Sequence, residues 1–352
     1  MGRLIDLGSD TATLPSRDMI AFMTACPLGD DQKGEDPTVN RLQEEVSALL
    51  GTEAALYLPS ATMANEIAVK LHTRPGDQVI LDAESHLVIS EGGGPAFLSG
   101  VMLQGLAGTR GIFTAAQVER AIQHDDPHCP RSSLVSVEQT TNRGGGAIWP
   151  QETLRAVVAA AHGRGLSAHL DGSRLMNAAV ASGHAAAEHV QGFDSVTLCL
   201  SKGLGCPVGA LLAGSRSVIR EARRLKHVFG GAMRQAGIIA GAGLFALKHN
   251  VDRLAEDHAN ARSLATLLSS MPGIGIDPAE VETNIVFFDV GAAGLSGPEM
   301  VAALRDKGVR VGARPHETKV RAVTHLDVTR EDILRAAACV AEVVEAARPR
   351  LP

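Results

Sequence analysis

Two short polar clusters each close an apolar run, and between them they hold the residue types best suited to chemistry. The first is His169-Leu170-Asp171-Gly172-Ser173-Arg174, and the second is Leu200-Ser201-Lys202-Gly203-Leu204-Gly205. Open α/β sheets place their ligands at strand carboxyl ends, which is where both clusters fall. A lysine amine there can form a Schiff base with a carbonyl, and a carboxylate can keep a pyridine nitrogen protonated. A third cluster, Ser60-Ala61-Thr62, lies between a strand-like run and a helix start. Backbone amides, the helix dipole and two hydroxyls favour an anion at such a turn. Together the three clusters point to pyridoxal 5'-phosphate as cofactor.

The elements that must position these groups follow a regular rhythm. Residues 36–51, DPTVNRLQEEVSALLG, read as a helix that Asp36 caps, Pro37 starts and Gly51 ends. Strand-like runs follow at 54–58, 79–81, 100–103, 133–137, 167–170, 195–200 and 209–212. Helical patterns at 63–71, 115–123 and 151–164 lie between some of them. Several runs are continuously apolar, as strands covered on both faces are. Strands alternating with helices mean an α/β domain on a mostly parallel sheet. Residues 251–352 read differently: helices near 251–268, 297–307 and 330–347 are mixed with strands near 285–290, 309–311 and 321–325. That is an α+β C-terminal domain.

Composition narrows the functional classes. The 352 residues are 45% hydrophobic and 20% charged, enough for a large core and too apolar for global disorder. A net charge of −6 argues against a dedicated nucleic-acid binder, which carries a basic stripe. Aromatics are 3%, so bases have few platforms to stack on. The five cysteines are scattered and form no C-x-x-C pair, which fits a reducing compartment. The opening MGRLIDLGSDTATLP has no apolar leader stretch, and no apolar run is long enough to span a membrane. The expectation is a cytoplasmic enzyme acting on a small molecule, with neither nucleic acid nor membrane as partner.

Other motifs carry less. His124-Asp125-Asp126-Pro127-His128 resembles a metal cluster, but Pro127 breaks the helix that would align its histidines, so no metal site is expected. The glycine triplets at 92–94 and 144–146 lack the dinucleotide fingerprint. Cys206 reads as a small packed side chain, and His325 as a structural histidine with its hydrogen bonds met. Arg223, Arg224 and Lys226 read as a solvated helix face.

Beyond these local readings, the chain resembles the threonine aldolases among the fold-type I pyridoxal-phosphate enzymes, a group placed with the β-eliminating lyases. The resemblance is carried, in order, by DLGSDTATLP, GDDQKGEDPTVNRLQEEVSALLG, PSATMAN, ESHLVISEGGG, EQTTNRGGG, HLDGSRLMNAAVASG, LSKGLGCPVGALLAG, GGAMRQAG and VRAVTHLDV. It implies a large α/β domain on a mostly parallel seven-stranded sheet, residues 1–250, and a small α+β domain, residues 251–352. It also implies the roles of individual residues. Lys202 would be the Schiff-base lysine, Asp171 the partner of the pyridine nitrogen, and His86 the histidine stacked on the ring. Ser60, Ala61 and Thr62 would hold the phosphate. Arg174 would lie near the cofactor and the substrate carboxylate, with Ser9 and Arg321 as further carboxylate binders. His128 would stand near the substrate hydroxyl, and Arg234 would reach a neighbouring subunit's cofactor in a homodimer or homotetramer with shared sites. The implied reaction is reversible retro-aldol cleavage of threonine, allo-threonine or related β-hydroxy-α-amino acids to glycine and an aldehyde. The base is His86, His128 or a water held by one of them. Racemisation, β-elimination and transamination on the same scaffold are the alternatives, followed by a binding protein without catalysis.

The resemblance is incomplete in places. The family commonly has Gly at Ala61, Tyr at Lys33, His at Thr141 and Lys at His227. Leu87, Val88 and Ile89 replace an aromatic or a second histidine after ESH. The residues assigned to the cofactor remain, so the changes imply a shifted substrate preference, toward a bulkier or more apolar β-substituent.

Overall fold

The computed structural model describes residues 3–347. In chain order its strands are β1 (Ile5–Asp6), β2 (Ala54–Leu58), β3 (Gln78–Asp82), β4 (Met102–Leu106), β5 (Ser132–Glu138), β6 (Ser167–Gly172), β7 (Ser195–Cys199), β8 (Ala210–Gly214), β9 (Ile285–Asp289), β10 (Val309–Arg310), β11 (Gly312–Ala313) and β12 (Lys319–Val323). The chain divides into two compact units. One runs from Pro15 to Val251, and the other joins the residues up to Leu14 to those from Asp252 onward.

The larger unit is built on a seven-stranded sheet in the order β2-β8-β7-β6-β5-β3-β4. Strands β7, β6, β5, β3 and β4 are parallel neighbours. Strand β8 runs antiparallel to both β7 and β2. Strands β7 and β8 are buried along their whole length, as is β3, because helices cover both faces of the sheet. At the open edge, β4 has an exposed Met102 and alternates less cleanly.

Local chemistry sets the helices that matter for the site. Asp36 accepts from the N–H groups of Thr38 and Val39, Pro37 opens the helix Pro37–Leu50, and Gly51 at φ 64° closes it. Ser60 accepts from the N–H of Met63 and starts the helix Ala61–His72. The longest helices that escaped the sequence reading are Arg17–Ala25 and Gly237–His249. The second is apolar almost all round and packs against the first and against Pro37–Leu50, so no amphipathic stripe marks it.

In the smaller unit, β11, β12 and β9 form an antiparallel sheet. Strand β1 pairs in parallel with β10, Ile5 opposite Val309. Ile5 and Leu7 are buried in the same core as Leu264, Phe288, Met300 and Val340. The sequence reading counted the first residues with the large domain. Their backbone pairing and apolar side chains place them in the C-terminal unit instead. His325, 1% exposed, hydrogen-bonds the carbonyl of Asp6 through Nε2 at 2.8 Å, which is a structural role.

Candidate active site

Strands β6 and β7 are adjacent and parallel, so the residues that close them come out side by side. Asp171 is 2% exposed near the end of β6. Its Oδ1 accepts from the N–H of Ser173 at 3.0 Å, and its Oδ2 from Nδ2 of Asn65 at 3.0 Å. Burial works against the charge. The Lys202 ammonium, a hydrogen bond from the Ser173 side chain and the nearby His86 and His169 overcome it and hold the carboxyl below its ordinary range. Gly172 is required beside it, since a Cβ there would lie 2.3 Å from the carbonyl oxygen of Thr197.

A hydrogen-bonded chain extends from Asp171 on both sides. Asn65, fully buried on the helix Ala61–His72, gives its second Nδ2 hydrogen to Oε1 of Glu91 at 2.9 Å. The same Glu91 oxygen lies 2.8 Å from Nδ1 of His86. That bond raises the His86 pKa above its ordinary value, against burial and the Lys202 charge and helped by Asp171. On the other side, Nε2 of His169 lies 3.3 Å from Oδ1 of Asn65, and burial lowers His169 to about 4, so it is neutral. Glu138 at the end of β5 accepts from the N–H groups of His86 and Asn142. Burial and the Asp171 charge push it up to about 7, against the pull of His86, the Asn142 amide and Arg174.

Arg174 is buried at the N-terminus of the helix Leu175–Ser182, and its Nη1 donates to Oδ1 of Asn142 at 3.4 Å. Lys202, His86, Asp171 and Arg174 thus fall into one electrostatic neighbourhood. Ser60, Ala61 and Thr62 open the helix that carries Asn65, so the anion-favouring turn and the partner of Asp171 share one rigid element.

Not every expected residue joins this group. His128 lies on an exposed loop, its side chain 91% accessible, and bonds Oδ1 of Asp126 at 2.9 Å. Arg234 is exposed and pairs with Asp30 at 3.0 Å. Ser9 caps a short turn, accepting from the N–H of Thr11, and Arg321 on β12 donates to the carbonyl of the neighbouring Gly8. Both belong to the smaller unit.

Sequence reasoning gave no role to Asn65, Glu66, Glu91, Glu138 or His169. Asn65 and Glu66 sit within the helical pattern read at 63–71, and a polar pair there was the available signal. Nitrogen and oxygen atoms of His86, Glu91 and Asp171 lie within 4.8 Å of one another, close enough for one cation. The hydrogen bonds through Asn65 account for that spacing. The basic run also needs correcting. Arg224 is exposed, but Lys226 is 4% exposed and forms a 2.6 Å ion pair with the buried Asp31.

A buried carboxylate kept ionised beside a lysine suits the protonated ring nitrogen and carbonyl of pyridoxal phosphate, so the residues present fit that group. Comparison with known proteins agrees. The family model for beta-eliminating lyases matches residues 6–292. The low specificity L-threonine aldolase of Escherichia coli K12 is 43% identical over 340 residues, 95% of this chain and 98% of that protein. An alanine racemase of Cochliobolus carbonum is 33% identical and covers 94% of this chain and 88% of its own length. Among solved structures, the threonine aldolase of Leishmania major superposes with a TM-score of 0.81 at 20% identity, over 97% of this chain and 99% of that one, which shows a shared fold. The chain belongs to the beta-eliminating lyase family.

Proposed function

We propose that this protein cleaves the Cα–Cβ bond of threonine, allo-threonine or related β-hydroxy-α-amino acids, giving glycine and an aldehyde, with pyridoxal 5'-phosphate as cofactor. The observation that carries this reading is the buried Asp171 carboxylate held ionised under the Lys202 charge, on adjacent strand ends. Near full-length similarity to a low specificity L-threonine aldolase supports it.

When bound, the cofactor supplies an electron-poor ring that accepts the electron pair released as Cα–Cβ breaks. Asp171 would hold the proton on the ring nitrogen, with Asn65 and the Ser173 amide keeping the carboxylate in place. Lys202 would bind the cofactor carbonyl until substrate displaces it. Ser60, Thr62 and the first-turn amides from Ala61 onward would hold the phosphate. Arg174, with Ser9 and Arg321, would bind the substrate carboxylate. With Nδ1 of His86 donating to Glu91, the neutral ring keeps its lone pair on Nε2, where it can take the β-hydroxyl proton. This supports His86 as the base over the exposed His128. Arg234, exposed and paired with Asp30, would reach a second copy in a homodimer or homotetramer. The setting is cytoplasmic, and no helix among the described residues is long and apolar enough to cross a membrane.

The test is product analysis. With pyridoxal phosphate added, the purified protein should release glycine and aldehyde from L-threonine, L-allo-threonine and phenylserine. Lys202→Ala should lose the visible absorbance of lysine-bound pyridoxal and on the order of a thousandfold in rate. D-alanine from L-alanine, with no aldehyde from any hydroxy amino acid, would overturn the reading in favour of racemisation.

A further inference from the structure

The helix that supplies Asn65 supplies a second buried polar residue, Glu66, for which the reaction above has no use. Glu66 is 2% exposed and Glu91 is 7% exposed, with the Glu91 side chain fully buried. Neither oxygen of Glu66 receives a hydrogen bond from any amide, amine or hydroxyl among the described residues, and nor does Oε2 of Glu91. The other Glu91 oxygen is engaged by both His86 and Asn65. Three buried carboxyl oxygens without donors, on two neighbouring side chains, are too costly to leave as two charges. A single proton between the two carboxyls satisfies one oxygen on each.

We propose that Glu66 and Glu91 share one proton as a carboxylic acid–carboxylate pair, and that this bridge holds the other oxygen of Glu91 on His86. Glu66 is then a positioning residue for the proposed base. The backbone comes close to it: a Cβ on Gly94 would lie 2.1 Å from Oε1 of Glu66, so a larger residue there would push this carboxyl aside. Burial and the Glu91 charge raise Glu66 to about 8, so the proton stays in place at neutral pH.

The charged surroundings are few. The strand end of β6 contributes Asp171 and His169, β5 contributes Glu138, and the segment after β3 contributes His86 and Glu91. On the helix of Glu66 itself, Lys70 is spent on the carbonyl of Leu98 at 3.0 Å. The charge acting on Glu66 is that of Glu91.

Two readouts test the proposal, one of which needs no cofactor or substrate. Glu66→Gln replaces the acid by an isosteric amide that still donates to Glu91 and cannot ionise. The unfolded wild type ionises Glu66 near the ordinary glutamate value, while the folded protein keeps the proton until about pH 8. Wild-type stability therefore falls relative to Glu66→Gln as pH rises from about 5 to about 8. Thermal melts of the two apo-proteins should diverge by several degrees over that range, the variant being more stable at the alkaline end. Parallel melting curves would overturn the shared proton.

The second readout is the pH profile of kcat/KM on a hydroxy amino acid. Glu66→Gln should stay within threefold of wild type at pH 7 and lose an alkaline limb centred near pH 8. Glu66→Leu, which strands the Glu91 oxygen, should fall at least tenfold. Identical limbs in wild type and Glu66→Gln would overturn the positioning role. This inference rests on the proposed reaction only for the second readout. Absence of aldehyde would defeat that reaction and leave the melting result to stand by itself.

Discussion

Asn65 and Asp171, far apart in sequence, are joined by a 3.0 Å hydrogen bond from Nδ2 to Oδ2. The same amide also serves Glu91. Asn65→Leu therefore strands two buried acceptors at once. The expected cost is about 3 kcal/mol, because an unsatisfied buried charge loses its full solvation. Urea unfolding of the apo-protein measures it, and an unchanged midpoint would refute the bridging role.

The His86–Glu91 bond predicts a pH effect. A base must be unprotonated, so kcat/KM rises as pH passes upward through the His86 pKa. Glu91 holds that pKa above the ordinary histidine value. Glu91→Gln removes the charge, and the acid limb should move to lower pH. Substitution of His86 by Asn should cost on the order of a hundredfold in kcat/KM, and His128→Asn less than tenfold. A larger loss at His128 would return the base to the exposed loop.

Acid should unfold the protein early. Burial holds His169, His189 and His258 neutral, with values of about 4. The unfolded chain protonates the same side chains near 6.5. Below that pH the unfolded state binds more protons than the folded one, so stability drops as pH falls toward 4, by a few kcal/mol. Melts at pH 7 and pH 5 should show the loss, and His169→Gln should reduce it.

Lys226 and Arg224 lie two residues apart on one helix and should behave oppositely. Lys226→Met leaves the buried Asp31 carboxylate without its 2.6 Å partner, at a cost of about 3–5 kcal/mol. Arg224→Ala, on the exposed face, should stay within about 0.5 kcal/mol. Equal effects in chemical denaturation would contradict the burial seen here.

Substrate range offers a further check. Leu87, with Val88 and Ile89 beside it, follows the base in sequence; Leu87 is buried in a core cluster with Val69, Val79 and Leu81, Val88 packs against that cluster, and Ile89 is exposed. If these residues set an apolar preference, kcat/KM should favour phenylserine over threonine. A clear preference for threonine would sink that reading.

Much of this was legible in the sequence because it depends on local chemistry. The capping of Pro37–Leu50 by Asp36 and Gly51 was readable, and so were the strands that end at Asp171 and Lys202. Harder to read was anything set by contacts distant in sequence. Strand β8 gives no sign in its own residues that it runs antiparallel. Gly237–His249 lacks an amphipathic stripe because its residues are apolar on nearly every side, Ile238 being exposed as well. Lys226 looks like any lysine in a basic run until Asp31 is brought to it across the fold. Asn65 and Glu66 were hidden for the same reason, since their partners arrive from other segments.

The pairing of β1 with β10 has a consequence for synthesis. Ile5 and Leu7 leave the ribosome long before their partners Val309 and Arg310, which lie far downstream in the chain. Throughout that interval a short apolar segment with unpaired backbone groups trails from the nascent chain. Chaperone binding should therefore concentrate on the segment around Ile5 and Leu7, and release should wait for its pairing with β10.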